Sequence, residues 1–122
     1  MAAETNLPPR SAEEAYVRAG AVFFGQVEKV HKDRYGHLAL ADVRVLKIWK
    51  GQRYLHNIVR VDGRGGLAYP ARIFMKEALY LFYLPPPESD GSFQADAFLN
   101  RIIPEREAQP DLIILEKLLF DK

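Results

Sequence analysis

The chain has no cysteine among its 122 residues. That excludes disulfides, thiolate chemistry and cysteine-based zinc sites. It does not settle the compartment, because a domain of this size folds without disulfides wherever it resides. Long apolar runs are also missing. The longest uncharged apolar segment, residues 78–87, is strand-length and ends in three prolines, whereas a membrane-crossing helix needs roughly 20 apolar residues. No membrane span is therefore expected. Enzyme signatures are absent as well: there is no G-x-S-x-G and no phosphate-cradling glycine–lysine loop. The acids do not cluster by spacing, so no carboxylate pair is nominated for acid–base work. The reading is of a protein that is not an enzyme, with no catalytic residue and no cofactor.

What is present describes a globular chain. Hydrophobic residues make up 48% and charged residues 27%, enough to bury a core. The length fits one domain. Net charge is only +1 but unevenly spread. Residues 43–76 carry Arg44, Lys47, Lys50, Arg53, Arg60, Arg64, Arg72 and Lys76 against a single acid, Asp62. Residues 88–122 are mainly acidic. Two differently charged solvated faces explain this, with a basic patch for an anionic partner as the sharper reading. Of the three histidines, His31 and His37 flank an expected turn and His56 is remote. Two histidines without a third ligand make a poor metal site, so no metal is expected.

Read in order, residues 1–10 form a flexible tail and residues 11–122 one domain. Ser11-Ala12-Glu13-Glu14 is a capping box that starts a short helix, docked by Tyr16 and ended by Gly20 as a C′ residue. Residues 21–51 read as one long β-hairpin, the stretch around which the rest is organised. Phe23, Gly25 and Val27 share one face of its first strand; Val22, Phe24 and Val30 share the other. In the second strand Ala39, Ala41, Val43 and Val45 are in phase, whereas Leu46 and Ile48 are out of it, which predicts a bulge. A third strand is expected over residues 55–62 and a glycine-rich loop over 62–66. Tyr69, Pro70, Ile73, Phe74 and Met75 are expected to cap the core. Residues 78–84 form a fourth strand and 93–99 a fifth. A C-terminal helix, starting near Glu105 or at Pro110, presents Leu112, Leu115 and Leu119 with Ile114 and Leu118. The expected fold is mainly β: a five-stranded OB-fold-like Greek-key barrel with a short N-terminal helix and a C-terminal helix.

Four ordered motifs resemble the netrin-like family, which includes the N-terminal domain of tissue inhibitors of metalloproteinases and many bacterial exported proteins. Residues 19–27, AGAVFFGQV, are similar to the family's opening strand. Residues 43–51, VRVLKIWKG, resemble its second strand and residues 80–84, YLFYL, its fourth. Arg101, Pro104 and Ala108 fall where its segment before the terminal helix would lie. The family's cysteine pair is missing, with residues near Pro70 and Leu99 in those places, and Glu77 stands near an expected glycine. The chain is thus similar to a cysteine-free bacterial member. Protease inhibition in the relatives uses an N-terminal cysteine, which this chain lacks.

The resemblance implies a non-catalytic protein-interaction module with a protein partner. It also implies a periplasmic or extracellular location. Met1-Ala2-Ala3-Glu4 lacks the basic start and apolar core of a signal peptide, so a cytoplasmic location stays open. The surface expected to bind the partner lies in three loops: Tyr35; Lys50, Arg53 and Tyr54; and Arg64 and Tyr69. The alternative is single-stranded nucleic acid, which OB barrels often bind through exposed aromatics on a basic groove.

Overall fold

The computed structural model describes residues 11–32, 39–63, 74–94 and 101–120. It begins with helix α1, Ala12–Arg18. The Ser11 hydroxyl accepts the Glu14 N–H at 3.1 Å, as the capping sequence predicts. Gly20 plays a different part from the one expected. The helix ends on Ala19 in extended backbone (φ −72°, ψ 148°). Gly20 is needed for close approach instead: a Cβ there would lie 2.5 Å from the Pro86 nitrogen.

Six strands follow among the described residues, not five: β1 Ala21–His31, β2 Leu40–Lys50, β3 Ile58–Asp62, β4 Leu79–Leu84, β5 Phe93–Gln94 and β6 Arg101–Pro104. Helix α2, Gln109–Phe120, closes the described chain. The sheet order is β5-β3-β2-β1-β4-β6. Only the β3–β5 pairing is parallel. The expected fifth strand is described only over Phe93 and Gln94, since residues 95–100 lie outside the described residues. The chain then pairs again as β6 on β4. The expected third strand starts three residues late, at Ile58, after a 3₁₀ turn over Gln52–Tyr54.

The sheet curls into a half-barrel. In a flat sheet, β5 and β1 would sit about 14 Å apart across three strand spacings. The rings of Phe93 and Phe23 instead lie 6.1 Å apart. Bulges make the curl. In the β1–β2 ladder Leu46 and Trp49 are skipped on β2, and Glu28 on β1. The bulge at Leu46 keeps Val45 and Ile48 both on the concave side, which accounts for the phase change in the sequence. The bulge at Glu28 does the same for β1. It turns Val30 inward, onto the face of Phe23 and Val27, against the alternation expected for it.

The concave side holds the main core: Phe23, Val27, Val43, Val61, Phe74, Phe82 and Phe93 among others. Burying each such side chain is worth about 1.5–3 kcal/mol. Among the described residues the convex side is covered only at one end. There α1 and α2 lie over Val22, Trp49, Leu81 and Tyr83. Leu115 is buried on α2 with Leu112, Ile114 and Leu118 beside it, but Leu119 faces out. Pro110 sits in the first turn of α2, where its missing N–H has no helical partner to lose. No helix among the described residues is long and apolar enough to cross a membrane.

The Trp49-Lys50-Gly51 ending of the hairpin holds α1 in place. The Lys50 ammonium donates to the carbonyls of Tyr16 at 2.7 Å and Val17 at 3.2 Å, so it caps the helix C-terminus. It also lies 5.1 Å from the Tyr16 ring centre. The Tyr16 hydroxyl donates to the Trp49 carbonyl at 3.4 Å. The indole of Trp49 is buried, and among the described residues its N–H has no hydrogen-bond acceptor. Packing holds it, with the Lys47 ammonium 5.2 Å above the ring.

Candidate interaction surface

Tyr35, Arg64 and Tyr69, three of the six residues expected to bind a partner, lie outside the described residues. The other three, Lys50, Arg53 and Tyr54, are close together in sequence, and each makes contacts within the chain. Lys50 is committed to α1. Arg53 folds back on its neighbour: its guanidinium donates to the Tyr54 hydroxyl at 2.8 Å and sits 4.8 Å from that ring's centre. Tyr54 packs partly against the main core.

Of the two histidines that flank the expected turn, His37 lies outside the described residues, and His56 is exposed. The His31 Nε2 contacts the Asp42 carboxylate at 2.9 Å. Among the described residues no group of three metal-ligating side chains converges. Met75, expected in the core, is 69% exposed, whereas Phe74 beside it is 2% exposed. The chain turns at Met75–Ala78, so of these two Phe74 points inward; Tyr69, Pro70 and Ile73 lie outside the described residues.

The uncovered end of the convex side carries a patterned surface. Its register sets Gln26, Arg44 and Ile58 in one row across β1, β2 and β3, with Lys29, Asp42 and Arg60 in the next. Arg44 pairs with Glu28. Asp42 accepts from Arg60 Nε at 3.0 Å as well as contacting His31. Two aliphatics stand among these ion pairs. Leu46, at the bulge, and Ile58 are each 51% exposed. Sequence reading missed both, because each lies in a strand whose alternating residues are apolar. The signal available was the phase change, which pushes Leu46 to the side opposite Val45.

Partial burial pushes the Asp42 carboxyl up, but hydrogen bonds and charge from Arg60 and His31 outweigh it and hold the group below its usual value of 3.8. A carboxyl with a lowered folded pKa contributes stability above its unfolded pKa and loses it as pH falls toward the folded one. An Asp42→Asn variant should therefore lose less stability than the parent between about pH 5 and pH 2. The effect will be modest, because the site is solvated. Urea midpoints across that range check it; parallel pH profiles would show that the pairing contributes nothing. The Asp90 carboxyl is also lowered, by the Ser92 hydroxyl and N–H within a turn.

Next to the Gln26–Arg44 row lies a groove of about 370 Å³ lined by Gln26, Val27, Glu28, Arg44, Lys76 and Glu77. Glu77 forms its far wall with a positive φ of 70°. Its N–H donates to the Val27 carbonyl at 2.7 Å, and its carbonyl accepts the Gln26 side-chain amide at 3.2 Å. Both ends of its peptide are thus tied to β1.

No protein-family model matches the chain, and a search of curated proteins finds no relative.

Proposed function

We propose that the chain is a non-catalytic protein-binding module, built on a netrin-like barrel of the OB type and exported in its native setting. The barrel reading is supported by the strand order. β1 is shared between β2 and β4, and β3 pairs in parallel with β5. The short strands β5 and β6 divide the work expected of one fifth strand, one pairing with β3 and the other with β4. Family membership and export rest on the motif order described above.

The observation that carries the binding reading is the β2–β3 convex face. Leu46 and Ile58 are exposed aliphatics on the neighbouring strands β2 and β3, on a face that also carries the Glu28–Arg44 and Asp42–Arg60 ion pairs. An apolar centre with a charged rim is how protein-binding patches are composed. Single-stranded nucleic acid needs exposed aromatics and uncompensated cations. Among the described residues this face offers no aromatic, and both of its arginines are matched by carboxylates.

Capture from an envelope extract tests the proposal, comparing the parent with a Leu46→Arg/Ile58→Arg variant. Both sites are half-exposed, so the fold should persist, which circular dichroism checks. A partner that is retained by the parent and weakened at least about tenfold in the variant is the expected result. Undiminished recovery by the variant would place the binding surface elsewhere. Salt-dependent binding of a single-stranded oligonucleotide would favour the alternative reading.

A further inference from the structure

We infer that the groove between β1 and the Lys76–Glu77 turn is a recognition site for a dipolar ligand, one that brings an ammonium or guanidinium to Glu77 and a carboxylate to Lys76. The site shares the rim pair Glu28 and Arg44 with the Leu46–Ile58 face, but its binding groups are Lys76 and Glu77, and it stands apart from that proposal.

Three observations carry it. The first is size. At about 370 Å³ the groove falls within the range of small-ligand sites and would hold a pair of short side chains or an amino acid. The second is charge. Four charged residues line it, two acids and two bases. Glu28 and Arg44 satisfy each other. No ion pair or hydrogen bond among the described residues engages the Lys76 ammonium or the Glu77 carboxylate. The groove therefore offers one free cation and one free anion on neighbouring residues, with no net charge. A singly charged ligand would meet repulsion from one of them, whereas a dipolar ligand satisfies both.

The third observation is the backbone of Glu77. The Ala78 N–H donates to the Met75 carbonyl at 3.2 Å, closing a turn with Glu77 at its third position. The positive φ there suits glycine or asparagine, and a glutamate adopts it only at an energetic cost. Strain of this kind clusters at binding sites. The peptide of Glu77 is tied to β1 by main-chain and Gln26 contacts that any residue could make or receive. The carboxylate is what glutamate adds.

The test is a titration of the ¹⁵N-labelled full chain at low ionic strength, where exposed charges are least screened. The probes are N-acetyl-Arg-Asp-amide, free L-alanine, N-acetyl-Arg-amide and N-acetyl-Asp-amide. The expected result is saturable shifts at Gln26, Glu28 and residues 76–78 with a dipolar probe. That probe should bind at least about tenfold tighter than either singly charged one. Preference for the peptide identifies a side-chain pair as the source; preference for alanine identifies a free amino acid. Glu77→Gln and Lys76→Met should each abolish the preference with unchanged Trp49 fluorescence and melting. Equal response to singly charged probes, no saturable shift with either dipolar probe, or undiminished preference in the folded variants would overturn the assignment.

Discussion

Gly51→Ala is expected to destabilise the protein by about 3 kcal/mol or more. Gly51 has a φ of +84°, and a Cβ added there would lie 2.4 Å from the Gly20 carbonyl oxygen and 2.8 Å from the Ala21 Cα. The left-handed backbone alone costs a non-glycine residue about 1–2 kcal/mol, and forcing atoms into packed space adds about 1–3 kcal/mol. Relief by movement is blocked. The Gly20 N–H donates to the Leu84 carbonyl at 2.8 Å, and Gly20 itself abuts Pro86. Any shift would also disturb Lys50, the residue that caps α1. Gly91 supplies the control. Its φ is +87°, yet nothing lies within 4 Å of a Cβ placed there. Gly91→Ala should thus show the conformational cost without the clash. Urea unfolding followed by Trp49 fluorescence compares the two, with the loss at Gly51 expected to be at least about twice that at Gly91. Equal losses would remove the steric argument.

The parts of this fold that were legible in the sequence are those set by local chemistry. Ser11 announced the start of α1 because its hydroxyl serves an N–H three residues away. The slip in alternation after Val45 announced a bulge because period-two patterning is a property of the strand itself. Long-range contacts were not legible. Lys50 looked like a surface cation free for a partner, but it reaches carbonyls 33 and 34 residues away. The tie between Arg53 and Tyr54 joins neighbours, yet the sequence alone does not distinguish it from two open side chains. Strand β6 was missed for another reason. Its four residues end on Pro104, which reads as a boundary, and its pairing is supplied wholly by β4. The candidate surface shows the same division. Its charges could be read directly, but Arg44 and Arg60 are neutralised by Glu28 and Asp42 from other strands.

Phe82→Ala should cost about 3–5 kcal/mol, a large part of the roughly 5–15 kcal/mol that holds a domain of this kind together. Phe82 is fully buried and stacks on Phe23 with ring centres 4.9 Å apart and planes 19° from parallel. It also contacts Tyr80 at 5.9 Å and Phe74 at 6.3 Å, so its removal leaves a cavity at the centre of the concave core. The more informative consequence is how the loss spreads. Strand β4 alternates between the two cores: Tyr80, Phe82 and Leu84 face the concave cluster, whereas Leu81 and Tyr83 face the cluster beneath the helices. Tyr83 further ties β4 to α2 through a 2.7 Å hydrogen bond to the buried Asp111 carboxylate. A cavity on one side of β4 must therefore weaken the other side too. The protein's single tryptophan lies in the helix-covered cluster, and Phe82 lies in the concave one. In the Phe82→Ala variant, Trp49 fluorescence and far-ultraviolet circular dichroism should both shift to lower denaturant and still coincide. Separate transitions, with Trp49 keeping its parental midpoint, would mean that the two clusters unfold independently and that β4 does not couple them.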